Sequence, residues 1–357
     1  MNRCLAVIAI SAPLALAACG GGSSGQPATP GNITLAEVNT ASPNMTLRAA
    51  DTAATSLPAF GSVTQSSNRD AGGVSTDSAS TTFDGQNIAL TVTRENGNSF
   101  TLDVAGDAYE SRPLEGLFPG YRSHLWHLLD VGSDTTRSAF VAVNWDDSDP
   151  AHYLAGGYWI HLTGNVETLS ITDVEIGAFA DGPEISLSNP PIMPALGSAQ
   201  YAGTAHGLTV TRYGTDFPSI APGTLDMGEF YSTVALTADF ADGTIGGCMG
   251  CADGIEFNVF RVEPTTGDVE ELSGTMQYRV ILGPTSFDPS GKFRSTDVTI
   301  EHPQIGLSSS GVWGGRFSNV PADNGDPRLI AGTVGGNIST PGGSEGSMVG
   351  LFVGTKQ

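Results

Sequence analysis

Two of the four cysteines, Cys248 and Cys251, form the run Cys248-Met249-Gly250-Cys251. A C-x-x-C of this kind can pair as a disulfide, contribute to a metal site or act as a dithiol redox pair. A structural zinc needs four ligands, and no second C-x-x-C or close histidine pair accompanies this one. Redox use of the thioredoxin type places the motif at a helix start in a βαβ unit, whereas this run sits in a glycine-rich turn after a strand pattern. The reading taken is a disulfide at a hairpin tip, with a metal or redox site and free thiols as the alternatives. His124-Leu125-Trp126-His127 puts two imidazoles three residues apart, a spacing that shares one face of a helix turn. No carboxylate or cysteine completes a metal set nearby, so packing or surface roles are the plainer expectation. His206 and His302 flank strand patterns and could reach a haem iron, with ordinary roles again plainer. The acidic run Asn144-Trp145-Asp146-Asp147-Ser148-Asp149 lacks the glycine and glutamate that a calcium loop requires at its sixth and twelfth positions, and it reads as a solvated turn. Gly-x-Ser-x-Gly occurs at 21–25 and 342–346, in glycine-rich segments without the strand-to-helix pattern of a nucleophile elbow, and no P-loop or HExxH is present. The chain is therefore read as non-enzymatic, with no catalytic residue, no metal and no resident cofactor.

The remaining cysteine in a telling context is Cys19. Arg3 supplies a positive start, and residues 5–18 are an apolar run broken by Pro13. Such a run is short of the roughly 17–25 residues a transmembrane helix needs and suits the core of a signal peptide. It ends Leu16-Ala17-Ala18-Cys19, which resembles the bacterial lipobox. Cleavage before Cys19 and lipid on its sulfur are expected, with residues 1–18 as signal peptide. Gly20-Gly21-Gly22-Ser23-Ser24-Gly25 follows as a flexible tether.

Composition narrows the partners. The chain has 15 basic and 37 acidic residues. Removing residues 1–18 removes Arg3 and no acid, leaving a formal charge of −23 on the mature chain. That charge repels nucleic acid and anionic membrane surfaces, so no nucleic-acid role is expected. It suits basic protein partners or cations, and simple solubility accounts for it too. The 47 glycines and 21 prolines follow no collagen period; with abundant Thr, Val and Ser they point to short strands and tight turns.

Residues 19–74 read as lipidated cysteine and linker, and 75–195 as a β-rich domain. Ile88, Leu90 and Val92 alternate with polar residues, as do Phe100, Leu102 and Val104, and Asn96-Gly97 between them suits a hairpin turn. Apolar runs at 139–145, 153–162 and 174–179 follow. Pro190, Pro191, Pro194 and Gly197 mark a boundary. Beyond it, strands are predicted at 198–205, 231–240, 255–262, 272–281, 296–301, 312–317, 329–335 and 347–354. The eight strands predict an all-β fold in which a C-terminal eight-stranded antiparallel β-barrel (196–357) follows the β-rich domain. Eight strands make a small closed barrel whose interior is filled by side chains or one small ligand.

Five stretches in the second half resemble the barrel of the transferrin-binding protein B family. Gly197-Ser198-Ala199-Gln200-Tyr201-Ala202-Gly203 resembles the family's first barrel strand. Leu236-Thr237-Ala238-Asp239-Phe240 with Gly243 and Gly247 resembles its L-x-x-D-F hairpin. Gly311-Val312-Trp313-Gly314-Gly315-Arg316-Phe317 is similar to its G-x-W-x-G-x-F strand, Ile330-Ala331-Gly332-Thr333-Val334 to its V-A-G-x-F strand, and Gly350-Leu351-Phe352-Val353-Gly354-Thr355-Lys356 to its closing strand. Residues 153–159 and 177–182 are similar to the handle domain that precedes the barrel. The family pairs two handle-plus-barrel lobes, and this chain has room for one, as in single-lobe solute-binding relatives. The resemblance implies an outer-membrane lipoprotein, exposed at the cell surface, that captures a host protein, haem or an iron-bearing solute for uptake beside a TonB-dependent receptor. A host-interaction role of the complement-regulator-binding type, or a structural one, is the alternative. No ligand-binding residue carries over position by position; the loops 217–226, 284–294 and 321–326 are the expected binding regions.

Overall fold

The computed structural model describes residues 46–51, 53–54, 74–75, 78–93, 97–104, 108–114, 121–146, 149–165, 170–181, 192–262, 269–289, 291–302, 306–317 and 327–357. These residues form strands and turns, with no helix among them; none is therefore a helix long and apolar enough to cross a membrane. Cys19, Asp147 and Ser148 of the acidic run, and the 321–326 loop lie outside the described residues.

Three sheets stack in layers. The outermost contains β2 (Ala53–Ala54), β4 (Ser78–Phe83), β5 (Ile88–Thr93) and β6 (Ser99–Asp103), in that order. Its alternation reads directly from the sequence: Ile88, Leu90, Val92, Phe100 and Leu102 are buried, and Thr93, Ser99 and Thr101 are exposed. One face meets protein and the other meets water.

The middle sheet has the order β3 (Val74–Ser75), β1 (Thr46–Asp51), β11 (Ser170–Asp181), β10 (Asp149–Asn165), β9 (Thr135–Asp146), β8 (Tyr121–Val131) and β7 (Ala108–Leu114). It is antiparallel except that β1 runs parallel to β11 and to β3. Thus Thr46–Asp51, inside the stretch read as linker, adds a strand to the sheet. This layer is covered on both sides. Trp159, Phe179, Val141, Val143 and Trp145 pack toward the outer sheet. Tyr158, Ile160, Leu162, Ile176 and Phe140 pack the other way, against the barrel. Two-sided burial explains why residues 155–162 are nearly all apolar or glycine rather than alternating. Gly156 and Gly177 sit where the layers touch: a Cβ on Gly156 would lie 2.7 Å from the Leu351 side chain of the barrel, and one on Gly177 would enter the Trp159 ring.

The third layer is a nearly closed antiparallel barrel sheet. Its nine-strand path runs β18 (Lys292–Ser295), β20 (Ser308–Phe317), β21 (Leu329–Ser339), β22 (Glu345–Lys356), β12 (Ser198–Arg212), β13 (Leu225–Asp239), β14 (Thr244–Met249), β17 (Arg279–Ser286) and β19 (Val298–Glu301). A further hairpin, β15 (Ile255–Val262) and β16 (Val269–Met276), branches from β13. The sequence expectation of eight strands is corrected accordingly. The run 272–281 is two strands, interrupted at Gln277-Tyr278, and β14 and β18 are additional strands. The seam is bridged by the Phe287–Phe293 pairing, by Trp313 Nε1 donating to Gly283 O at 3.2 Å, and by Ile300 N donating to Ser309 Oγ at 2.9 Å.

Aromatic rings fill one end of the interior. Phe293 lies 5.1 Å from Trp313, Phe287 5.2 Å from Phe317 and Tyr201 5.7 Å from Phe317, between ring centroids. Gly332 faces the Phe352 ring so closely that a Cβ would approach it to 2.6 Å. Outside, Leu208, Val210, Leu225, Met227 and Val349 form the wall on which the middle sheet rests. Where the middle sheet rests on them, around Leu208–Val210, Leu225–Phe230 and Val349, the wall strands β12, β13 and β22 are buried on both faces, inside by the barrel core and outside by the middle sheet.

Candidate functional site: a pocket at the barrel mouth

The site begins with an interruption in one strand. β13 pairs with β14 over Val234–Asp239 and with β15 over Leu225–Ser232. β14 and β15 are therefore one long partner of β13, broken by residues 250–254. Gly250 N donates to Thr233 O at 3.0 Å and Gly254 N to Gly250 O at 2.9 Å, closing the bulge. Both glycines have positive φ, 71° and 79°, a region that L side chains rarely adopt. Within the bulge the Cys248 and Cys251 sulfurs lie at bonding distance, with Cα atoms 6.0 Å apart, inside the usual disulfide range. Past the bulge the sheet divides: β14 continues to β17, whereas β15 continues to β16. The β15–β16 hairpin thus extends beyond the barrel rim, and a pocket opens between it and the barrel interior.

Strand parity decides what faces the pocket. On β15, Ile255, Phe257 and Val259 point in, with Met276 beside Ile255 on β16, and Ile300, Ile338 and Met348 complete the apolar lining. Space for the centres of water-sized molecules amounts to about 60 Å³, and one water takes roughly 10–15 Å³ on that measure. The pocket therefore admits a single side chain or a small molecule, far less than a porphyrin.

Its polar corner is built from Tyr213, Asp226 and Arg261. Asp226 is 2% exposed. Arg261 donates from Nε to Asp226 Oδ1 at 2.8 Å and from Nη2 to Oδ2 at 2.7 Å, a bidentate pairing. Tyr213 OH donates to Asp226 Oδ2 at 2.7 Å, and the Arg261 guanidinium lies 5.4 Å from the Tyr213 ring centroid. Burial first, then the Asp226 charge, pushes the Tyr213 phenol well up. With its acceptor oxygens committed, Asp226 acts as a strut that holds the rim rather than as a free base. Tyr278 differs. Burial pushes its phenol up to about 12, so it stays protonated near neutral pH. Among the described residues its hydroxyl has no hydrogen-bond partner, and its ring meets His302 edge-on at 5.0 Å. Tyr278 is the donor that an entering ligand would meet.

The other candidates disperse. His124 and His127 are on β8, a strand and not a helix. Three residues apart on a strand, they face opposite sides. His124 packs on Trp126 at 4.4 Å, and His127 stacks on Phe140 at 4.2 Å with Nε2 2.8 Å from Ser138 Oγ. His206 lies on the barrel's outer wall beside Tyr231, where burial lowers its pKa to about 4. His302 alone of the four touches a pocket residue, Tyr278. Asn144 and Trp145 of the acidic run are buried on β9. Among the described residues no cluster of three or more His, Cys, Asp or Glu is arranged to hold a metal. Of the expected binding loops, 217–226 leads into Asp226 at the pocket, whereas 284–294 lies at the barrel's aromatic end, beside Phe287 and Phe293.

A second polar contact lies between the layers. Tyr158 OH donates to Glu229 Oε1 at 2.5 Å, joining β10 to the barrel wall. Burial raises the Glu229 carboxyl to about 7, against the opposing pull of the Tyr158 hydrogen bond and the Arg112 charge. Sequence reasoning missed Tyr213, Arg261, Tyr278 and Glu229, and reached Asp226 only as the end of the expected 217–226 loop. The alternation in β15 was visible, but which of its faces borders a cavity depends on the bulge.

No protein-family model matches this chain, and no curated protein matches it. Among solved structures it is similar to a Nostoc punctiforme protein of unknown function from the DUF3598 family, at 11% identity over 79% of this chain and 88% of that one, with a TM-score of 0.18.

Proposed function

We propose that this chain is a membrane-tethered binding lipoprotein of the transferrin-binding protein B-like kind, anchored through Cys19 at the outer membrane and exposed at the cell surface. It captures a host protein or an iron-bearing solute for uptake beside a TonB-dependent receptor. The observation that carries the binding reading is the barrel-mouth pocket: apolar walls, one uncommitted phenol at Tyr278, and a rim braced by the Tyr213–Asp226–Arg261 cluster. Apolar lining with a few placed polar groups is the usual make-up of a ligand site. The lipobox and tether support the anchoring, and the β-rich N-terminal layers support the handle-plus-barrel comparison. Haem, if taken, would sit at the rim near Tyr278 and His302 and not inside, because the pocket is too small. That limit favours a protein partner, so the complement-regulator-binding type of host interaction is the second reading.

The test is a pull-down with the full-length protein from iron-limited medium and from host serum, with absorbance of the eluate read near the haem Soret band. Recovery of an iron-bearing protein or haem supports capture for uptake, and recovery of a host regulatory protein supports the second reading. If neither is recovered and deletion leaves growth on every iron source unchanged, the binding reading falls.

A further inference from the structure

The β15–β16 hairpin that walls the pocket ends in an unpaired strand. Among the described residues β16 pairs with β15 alone. Its outer row of backbone N–H and C=O groups is therefore open, and Glu270, Glu271, Ser273, Gly274 and Thr275 are exposed. An open edge of this kind is a template for another strand.

We propose that β16 accepts an extended, basic polypeptide segment by antiparallel or parallel strand addition, and that one apolar side chain of that segment enters the barrel-mouth pocket. This rests on the binding reading above and names its partner as a protein strand. Three features set the occupant. The pocket is the right size for one side chain. Gly274 stands opposite Phe257 on the pocket face, and the half-buried Phe257 ring lies over it beside the edge: a Cβ at Gly274 would come within 3.3 Å of the ring. The charge is one-sided: Asp253, Glu256, Glu270 and Glu271 are exposed on the bulge and hairpin, while the single base there, Arg261, is held by Asp226. A second copy of this edge would set the Glu270 and Glu271 carboxylates against their own kind, whereas a lysine- or arginine-bearing strand complements them.

The probe is a fluorescent acetyl-KVKLKVK-amide peptide, titrated by anisotropy against the full-length protein at about 0.15 M salt. Two further isomers carry N-methyl groups on alternate amides, one set for each edge of the peptide. Strand addition uses one edge only, so one isomer should bind at least tenfold more weakly and the other should match the parent. Gly274→Val, which pushes the Phe257 ring from its place over the strand, and the Glu270→Lys, Glu271→Lys double variant should each weaken the parent peptide at least tenfold. Equal binding of the two isomers would mean simple charge attraction and would overturn the proposal, as would absence of binding by the parent. If the pull-down recovers a partner that Gly274→Val leaves bound, strand addition falls while the binding reading stands. If nothing is recovered, the binding reading itself falls.

Discussion

Two buried groups on the barrel's outer wall should pull stability in opposite directions over the same pH range. Glu229 titrates at about 7 in the folded chain because burial disfavours its charge; its ordinary value is 4.5. The native state therefore holds a proton that the unfolded chain has released, and stability falls as pH rises from about 4.5 to about 7. His206 titrates at about 4 against an ordinary 6.5, again through burial. Here the unfolded chain holds the extra proton, so stability rises as pH climbs from about 4 to about 6.5. Each shift spans 2.5 pH units, and at about 1.4 kcal/mol per unit each amounts to roughly 3 kcal/mol. The two nearly cancel between pH 4.5 and 6.5. Urea melts followed by tryptophan fluorescence, at fixed ionic strength and half-unit steps of pH, separate them. Glu229→Gln should leave the His206 slope exposed, with stability rising about 3 kcal/mol from pH 4 to 6.5. His206→Gln should leave the Glu229 slope, falling by a similar amount from pH 4.5 to 7. His124 and His302, whose pKa values burial also lowers, add modestly to the rising arm. If Glu229→Gln keeps the wild-type profile, Glu229 is not buried between barrel and middle sheet as described, and the layered packing is wrong there.

Replacing Cys248 and Cys251 by serine together should cost about 2 kcal/mol, the chain-entropy value for so short a loop, read as a lower urea midpoint that reductant no longer changes. Trp313→Ala should cost about 3–5 kcal/mol, because the ring is fully buried among Phe293, Phe352 and the barrel seam; a loss below 1 kcal/mol in the same melts would count against a filled interior. Cys19→Ala should abolish metabolic labelling with palmitate, and label persisting in that variant would exclude this anchor.

What the sequence by itself determined is the all-β class and the position of most strands. Period-two alternation in Ile88, Leu90 and Val92 has no helical reading, and glycine with β-branched residues suits pleated, tightly coiled sheet. The nearness of Cys248 and Cys251 was legible for the same local reason, since three residues separate them. Two-sided burial was legible only as a loss of alternation at 155–162, which told that a layer would cover each face but not which layer. Tertiary structure alone decided the rest. The parting of β14 from β15 at the Gly250–Gly254 bulge sends two parts of one continuous ladder to different neighbours, and no residue pattern states where each will pair. The pocket, the Tyr213–Asp226–Arg261 cluster drawn from β13, β15 and the turn after β12, and the Tyr158–Glu229 contact across 71 residues of chain all depend on that pairing. Local propensity acts over a few residues, whereas these contacts are set by register between strands far apart in sequence, and register is fixed only when the layers close on one another.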